Sequence, residues 1–467
     1  MPKGVTKAQF KKFAKYYDTD VFIEAGRIIR QRAKSYDSLD PIERAEKIAL
    51  LFGTFKNPDK ETVLTPWRVV NMQMVKTFGG YNFFDDDFEH NTIDGSPAGR
   101  FIWKQEGESI YNPQSKVLDI NTKEGLHALF VAVTIYEREL WNKDGRFNPA
   151  DIWSEVLENN IYAVAKTPMA KTITLRTLCG YDDKLVTNVT HIPGLVEIIK
   201  ATKDGLQLAA SQIKEVFGNV NFDAVIGNPP YQEETAKKET ENGQKAVTNI
   251  FQYFQLLANE VSSGKTCLIY PGARWIHRSG KGMKTFGFDQ INSPHLSKVI
   301  YYPEANEIFT DVGIHDGISI VFCDKLRTNE PFEYVYQHKG ESYSAKISTP
   351  GESLIPLNPL DGLVVNKIES FVQEQSLKFL SAGIYPQKLF AIESDFAERN
   401  PSKVQLYTGQ PFDSEKTIKL FTNDKAGKIG RATWFLADRD VITVNQQLVD
   451  EWQVVVSSAN AGGAKKR

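Results

Sequence analysis

The segment FDAVIGNPPYQEE, residues 222–234, decides how the fold is interpreted. Its first half is a short apolar run, which is typical of a buried strand, and its second half contains the sequence Asn-Pro-Pro-Tyr. Proline lacks a backbone N–H and fixes its own φ angle, so two prolines cannot continue a central strand. The pattern therefore predicts a buried strand that ends in a stiff loop carrying Asn228 and Tyr231.

The sequence around this segment alternates between strand and helix patterns. The predicted strands are KVLDI (116–120), NIYAVA (160–165), KLVTNVTHI (184–192), FDAVIG (222–227), KTCLIYP (265–271), KVIYYP (298–303) and GISIVFCD (317–324). Strands that are regularly separated by helices predict an α/β fold with a doubly wound, mostly parallel sheet. Ligands of such sheets bind beyond the carboxyl ends of the strands, so the Asn228 loop is expected at the ligand edge.

Three regions are predicted along the chain. Residues 1–60 read as a helical N-terminal extension and residues 61–330 as the α/β catalytic domain. From residue 331 to 467 the pattern changes to irregular, strand-rich sequence with one helix, which predicts a smaller α+β region.

Composition limits the partners and the compartment. The 467 residues include 56 basic and 58 acidic side chains, so a polyanion would have to meet local clusters of Lys and Arg. The three cysteines are far apart and lack metal-ligand spacing, which fits reduced thiols in a cytoplasm. No apolar run approaches the ~18 residues of a membrane span, and no cluster of metal ligands is present. We expect a cytoplasmic protein without a membrane partner or a metal.

The predicted loop carries a specific chemistry. The Asn228 side chain and the Pro229 carbonyl offer two neighbouring acceptors, and the prolines fix their direction. Two aimed acceptors suit a planar NH₂ group, and Tyr231 adds a flat face for stacking. The loop is therefore expected to hold an exocyclic amine of an aromatic base or an amide NH₂.

This loop resembles the catalytic motif of amino-group methyltransferases that use S-adenosylmethionine. The motif is shared by DNA adenine methylases, some ribosomal RNA methylases and protein glutamine methylases. Other blocks narrow the resemblance: LTPWRVVNMQM (64–74) is similar to a cofactor motif, KVLDINTKEGLHALF (116–130) stands at the place of the glycine-rich cofactor loop, and EIFTDVGIHDGISIVF (307–322) is similar to a later block. Their order over residues 45–330 resembles the gamma-type DNA adenine-N6 methyltransferases of large restriction-modification proteins.

The resemblance implies a fold, an activity and partners. It implies the methyltransferase fold, transfer of a methyl group from S-adenosylmethionine to the N6 amine of a flipped adenine, and double-stranded DNA as the substrate. Residues 331–467 would form a target-recognition region that need not be complete, and further domains of a longer restriction-modification polypeptide are expected.

The resemblance also implies roles for individual residues. The catalytic set is Asn228, Pro229, Pro230 and Tyr231, and the flipped base would stack on Tyr231 and Phe309. The cofactor set is Thr65, Pro66, Asp119, Ile120, Asn121, Gly125 and Asp223. DNA contacts are expected from two basic loops, with Arg274, Arg278, Lys281 and Lys284 in the first and Lys425, Lys428 and Arg431 in the second.

The chain departs from the family on the cofactor side. Residues 120–124 stand where the family has Pro and several Gly, and the second predicted strand ends in Ala165 and Lys166 instead of a carboxylate. Cofactor binding is therefore expected to be weak or to use other groups, such as Glu124. Two alternatives follow: a methylase of RNA or of a protein glutamine, and a methylase-fold fragment that binds DNA without turnover.

Overall fold

The computed structural model describes most of the chain as two compact units. Its described residues are 8, 11–12, 16, 18–55, 64–90, 100–143, 146–234, 247–280, 282–309, 313–351, 353–378, 383–385, 389–423 and 432–452. The first unit is Met1–Asn366 and the second is Lys367–Arg467.

A nine-stranded sheet forms the centre of the first unit. The strands of this unit are β1 Gly80–Asn82, β2 Arg100–Ile102, β3 Val117–Thr122, β4 Ile161–Ala165, β5 Asn188–His191, β6 Phe222–Gly227, β7 Gln232–Glu234, β8 Val247–Asn249, β9 Ser262–Pro271, β10 Leu296–Tyr302, β11 Ile318–Asp324, β12 Phe332–His338 and β13 Glu341–Ile347. The order in the large sheet is β13-β12-β10-β11-β9-β6-β3-β4-β5. All its strands run in one direction except β11 and β13. The predicted doubly wound, mostly parallel sheet is confirmed.

The strand order reverses between β3 and β6, which places the topological switch point there. The chain moves from β3 outward to β4 and β5 on one side, then returns to β6 and β9 on the other. The loops after β3 and β6 therefore leave neighbouring strands in opposite directions, and a crevice opens between them.

Helices separate the strands and cover the sheet. In the first unit they are α1 Thr19–Ser35, α2 Pro41–Phe52, α3 Trp67–Thr77, α4 Gln105–Glu108, α5 Leu126–Lys143, α6 Pro149–Asn159, α7 Pro168–Cys179, α8 Leu195–Ala201, α9 Gly205–Val216, α10 Phe251–Val261, α11 Ala273–Ile276 and α12 Met283–Ile291, followed by α13 Pro359–Glu374 at the boundary between the units. α5 is buried along most of its length because it packs against β3 and β4 and against α2, α3, α6 and α7. Within the described ranges, no helix combines the length and apolarity needed to span a membrane.

Helix α2, which lies in the predicted N-terminal extension, packs onto the rest of the first unit. Ala45, Ile48 and Ala49 of this helix belong to the same apolar core as the sheet. The buried Arg44 guanidinium donates to the carbonyls of Arg176 (2.8 Å) and Thr177 (2.7 Å) at the end of α7. The Arg176 carbonyl also accepts from the backbone N–H of Gly180 at the end of the helix, at 3.0 Å. Arg44 therefore adds a second donor there and caps the last turn of α7 from a distant part of the chain.

We expect Arg44→Met to destabilise the first unit by about 2 kcal/mol, because it removes the charged donor from the Thr177 carbonyl and the second donor from the Arg176 carbonyl. Chemical denaturation of the full chain measures the change. Arg30→Met is the matched control, since Arg30 is exposed on α1, and its effect should stay within about 0.5 kcal/mol. Equal effects of the two substitutions would contradict the capping role.

The sheet extends past the predicted boundary at residue 330. β12 and β13 continue the large sheet to residue 347, because β12 pairs in parallel with β10 and β13 pairs with β12. The division between the units falls at Asn366 and Lys367. The sequence pattern placed this boundary early because the helices between strands cease before the sheet does.

The second unit is a small α+β structure. A short helix, α14 Phe396–Arg399, accompanies an antiparallel sheet of β14 Val404–Leu406, β15 Thr417–Asn423 and β16 Ala432–Asp438 in the order β14-β16-β15. Ile418, Leu420, Ala437 and Ile442 form its own apolar core.

Candidate active site

Two segments leave the sheet side by side. Residues 119–125 at the end of β3 are called the cofactor loop after their predicted role, and residues 228–231 after β6 are the Asn-Pro-Pro-Tyr loop, which is called the catalytic loop after its predicted role. β3 and β6 are parallel neighbours, and Asp119 is paired with Ile226 at the end of their register. Gly227 has φ +143°, and a Cβ atom there would lie 3.0 Å from Oδ1 of Asp119. Only glycine allows this approach without strain. The sequence therefore brings the Asp119 carboxylate directly beside the start of the catalytic loop.

The amide of Asn228 is fixed by its neighbours. One orientation of the amide gives hydrogen-bond partners to both its oxygen and its nitrogen. In this orientation Oδ1 accepts from the Thr65 hydroxyl at 3.0 Å, and Nδ2 lies 3.0 Å from the Tyr231 hydroxyl oxygen. Nδ2 also lies 3.3 Å from the carbonyls of Pro229 and Ile269. An amide oxygen has two lone pairs, so Oδ1 keeps one for a further donor. Asn228 is 3% exposed, which makes this orientation rigid.

The aromatic residues predicted to stack on a base are both buried. Tyr231 is 8% exposed, and burial raises the pKa of its hydroxyl far above the ordinary value, so the hydroxyl stays protonated. Phe309 is 2% exposed and belongs to the apolar core. Neither ring presents an open face to the crevice, and their stacking role stays a prediction.

Thr65 connects both loops to α3. Its backbone N–H donates to Oε1 of Glu124 at 2.8 Å, and its hydroxyl is engaged by Asn228. The N-cap of α3 is Pro66, and no side chain caps this end of the helix. The Thr65 hydroxyl serves a tertiary contact, which overrides its tendency to cap a helix.

Sequence reasoning missed a buried polar chain behind the loops. Gln73 of α3 donates to the carbonyl of Cys267 at 3.1 Å, and its Oε1 lies 3.0 Å from Nε2 of His127. Burial lowers the pKa of His127 to about 3, so this imidazole is neutral and can donate to Gln73. These hydrogen bonds connect α3 to β9 and to the first turn of α5. The only signal of this polar chain in the sequence is a polar residue on the apolar face of a helix.

A wide cavity lies at the carboxyl ends of β3, β4 and β5. It measures about 280 Å³, and its apolar lining includes Ile120, Val164, Leu195, Pro230 and Phe254. The predicted absence of a carboxylate at the end of β4 holds, but Glu197 and Glu233 line the cavity from other elements. These two carboxylates, which sequence reasoning also missed, can accept hydrogen bonds from hydroxyl groups.

A narrow cavity of about 10 Å³, the space of one water molecule, lies between the cofactor loop and Asn228. The residues that line it are Thr65, Asp119, Asn121, Thr122, Lys123, Glu124, Gly125, Leu126, His127 and Asn228. Gly125 starts the turn into α5 with φ +83°, and a Cβ there would lie 3.0 Å from the Thr174 side chain. The loop consequently fits tightly against α7.

Two carboxylates at this narrow cavity have one oxygen each without a partner. Oδ1 of Asp119 and Oε2 of Glu124 are buried and accept no hydrogen bond from the residues that the structure describes. Burial raises the pKa of Asp119 to about 7 and raises that of Glu124. Buried acceptors without a donor are costly, so both oxygens are prepared to receive a donor or a cationic group.

Lys123 also lines the narrow cavity. Its Nζ donates to the backbone carbonyl of Asn228 at 3.1 Å, and Nδ2 of Asn121 donates to the same oxygen at 3.2 Å. Lys123 is 7% exposed. Its charge acts on the surrounding groups, because it lowers the pKa of Asp119, Glu124 and His127.

Asp223 does not belong to this site, which corrects its predicted cofactor role. It lies at the beginning of β6, and its Oδ2 accepts from the backbone N–H of Lys116 at 2.7 Å. The cavities lie at the carboxyl end of the same strand, about 13 Å away. Asp223 therefore joins the amino ends of β3 and β6.

The first basic loop begins at the carboxyl edge but is partly occupied by internal contacts. Arg274 pairs with Asp316 at 3.0 Å, and Arg278 donates to the carbonyl of Gly351 at 3.2 Å. Lys284 is exposed on α12. The predicted DNA-binding residues Lys281, Lys425, Lys428 and Arg431 lie outside the described residues.

A comparison with protein families identifies the central part of the chain. Residues 159–309 match the family of the Eco57I restriction-modification methylase. The matched segment contains β4 to β10 and the complete Asn228–Tyr231 loop. The predicted relationship to restriction-modification methylases is confirmed, on about a third of the chain. None of the curated proteins matches the chain.

Solved structures of restriction-modification proteins resemble the chain distantly. A type I restriction-modification assembly is 14% identical with a TM-score of 0.38, covering 74% of this chain and 59% of that chain. The M protein of EcoKI is 12% identical with a TM-score of 0.36, covering 63% and 52%. A modification subunit of a putative type I restriction enzyme from Vibrio vulnificus YJ016 is 13% identical with a TM-score of 0.38, covering 69% and 57%. The chain thus spans between half and three fifths of these proteins.

Proposed function

We propose that this chain, whose residues 159–309 belong to the restriction-modification methylases, methylates the N6 amine of an adenine in double-stranded DNA, with S-adenosylmethionine as the donor. One observation carries the proposal. The Asn-Pro-Pro-Tyr loop ends a central strand at the ligand edge, beside a crevice with two partnerless carboxylate oxygens.

The loop supplies the acceptors that an aromatic amine needs. The second lone pair of Asn228 Oδ1 and the Pro229 carbonyl would each accept one N–H of the amine. These hydrogen bonds favour a tetrahedral nitrogen and stabilise the positive charge that develops there during methyl transfer. Thr65 supports the reaction indirectly, because its hydroxyl holds the Asn228 amide in one orientation.

The residues of the crevice fit S-adenosylmethionine. The wide cavity, lined by Ile120, Val164 and Pro230, suits an adenosyl group, and Glu197 can accept from its ribose hydroxyls. Asp119 and Glu124 offer partnerless carboxylate oxygens for the positively charged methionyl end. When bound, this cofactor supplies an electrophilic methyl group on a positively charged sulfur.

The substrate base has to leave the duplex to reach this loop. An amine inside a stacked helix is inaccessible in this geometry, so the adenine would be flipped out at a cost of a few kcal/mol. Asn228 is 3% exposed, so the side chains that cover it must move first. Tyr231 and Phe309 would then stack on the base, and Arg274 and Lys284 would contact phosphates near the crevice.

A second candidate is a protein of the same fold that binds DNA without turnover. It is favoured by the narrow cavity and by Lys123, which occupies the space near Asn228. RNA and protein glutamine also contain an NH₂ group that the loop would accept. Only the identity of the methylated product distinguishes these two substrates from DNA.

Incubation with S-adenosylmethionine carrying a labelled methyl group tests the proposal. Duplex DNA, structured RNA and a protein extract serve as parallel substrates. We expect label in DNA, and nucleoside analysis should identify it as N6-methyladenine. Label in glutamine or in RNA alone contradicts the proposal, and binding of DNA with no transfer to any substrate supports the second candidate.

A further inference from the structure

A lysine occupies the place in the crevice where the cofactor loop meets the catalytic loop. Nζ of Lys123 lies 3.1 Å from the Asn228 carbonyl oxygen, and the surrounding cavity holds about one water molecule. Lys123 is 7% exposed, so its ammonium is shielded from bulk solvent. The contact ties the cofactor loop to the catalytic loop through a charged hydrogen bond.

This position conflicts with a positively charged ligand. A methyl donor must lie within reach of an amine held at Asn228 and Pro229, and the donor sulfur carries a positive charge. The Lys123 ammonium lies 3.1 Å from the Asn228 carbonyl oxygen, so it would lie only a few Å from that charge. Like charges repel strongly where water is excluded, because the effective dielectric constant is low.

The groups around Lys123 compensate only part of this repulsion. Asp119 and Glu124 face it from the same loop, His127 is neutral, and Asn121 and Thr65 contribute neutral polar groups. Burial raises the pKa of Asp119 to about 7, which reduces its negative charge near neutral pH, and burial also raises the pKa of Glu124. The crevice is therefore less favourable for a cation than two carboxylates alone would make it.

We infer that Lys123 determines cofactor specificity: its ammonium favours the neutral thioether S-adenosylhomocysteine over the sulfonium S-adenosylmethionine. This inference rests on the proposed function, since it assumes that the adenosyl cofactor binds in this crevice.

Calorimetric titration with both ligands tests the inference without any methyl transfer. The measured quantity is the ratio of the Kd for S-adenosylmethionine to the Kd for S-adenosylhomocysteine. We expect a ratio above one for the unmodified chain and a decrease of about tenfold in Lys123→Gln, because the substitution removes the ammonium and keeps a side-chain donor. Lys123→Met, which removes the donor as well, should decrease the ratio equally.

Lys184→Gln is the control, because Lys184 is exposed and lies outside both cavities. It makes the same change of charge and should leave the ratio unchanged. Thermal unfolding of each variant shows whether the fold is retained.

The outcomes separate this inference from the proposed function. If both ligands bind and the ratio is the same in all variants, Lys123 has no part in specificity, while the proposed cofactor stands. A change in Lys123→Met alone would indicate altered packing and would also overturn the inference. If no variant binds either ligand, both the inference and the proposed cofactor are wrong.

Discussion

Asn228→Ala is expected to reduce the rate of methyl transfer by about 10²–10³-fold, the usual effect of removing one preorganised group that stabilises charge in a transition state. The substitution deletes the Oδ1 acceptor that the Thr65 hydroxyl holds in place at 3.0 Å. The Pro229 carbonyl remains, so residual transfer above the background is expected. Single-turnover rates with saturating labelled cofactor and duplex DNA measure the effect on the chemical step.

Three variants show whether the loss arises from the amide itself. Asn142→Ala makes the same change on the exposed surface of α5 and should leave the rate unchanged. Thr65→Val removes the hydroxyl that orients Asn228, so we expect a loss of about tenfold that Thr65→Ser restores. S-Adenosylhomocysteine binding should survive in Asn228→Ala. An unchanged rate in a folded Asn228→Ala protein would exclude the proposed role of this loop.

The sequence predicted the sheet well because its strands are buried on both faces. Such strands read as continuous apolar runs between turn residues, as FDAVIG and KTCLIYP do, and β6 and β9 lie where these runs stand. The end of the sheet was harder to predict. β12 and β13 join it without intervening helices, and their edge position gives an alternating pattern that resembles a separate strand-rich region.

The candidate site was predictable where one backbone segment determines it. The loop at Asn228 and its neighbour at Asp119 follow from two parallel strands and their order in the chain. Partners that come from distant segments were not predictable from one sequence. Gln73, Glu197 and the place of Lys123 depend on how helices pack onto the sheet, and a pattern of residue types does not encode such packing.

Asp119→Asn is expected to stabilise the chain by up to about 4 kcal/mol near pH 8 in the absence of cofactor. Burial raises the pKa of Asp119 from 3.8 to about 7, so the folded state holds a proton that the unfolded state has already lost. The contribution of Asp119 to stability is therefore most favourable below about pH 4 and declines as the pH rises to about 7, where the folded state also ionises. Asparagine has nearly the same shape and no charge, so this fall should become smaller. The pKa of Glu124 is raised in the same direction, so part of the pH dependence should remain.

Asp119→Asn should also weaken cofactor binding. The Asp119 carboxylate is costly to ionise in the folded state, but it is also the group that is available to bind a cation. Oδ1 of Asp119 accepts no hydrogen bond within the described structure, and a positively charged methionyl group would favour its ionised form. We expect the affinity for S-adenosylmethionine to rise with pH through about 7 and to fall about tenfold in Asp119→Asn.

Urea denaturation between pH 4 and 8 measures the change in stability, and calorimetric titration measures the change in affinity. Asp151→Asn, at an exposed position on α6, should change stability by less than about 0.5 kcal/mol. If Asp119→Asn gains no stability near pH 8, burial does not raise the pKa of this carboxylate. If the variant gains stability and keeps its affinity, the cation is bound elsewhere.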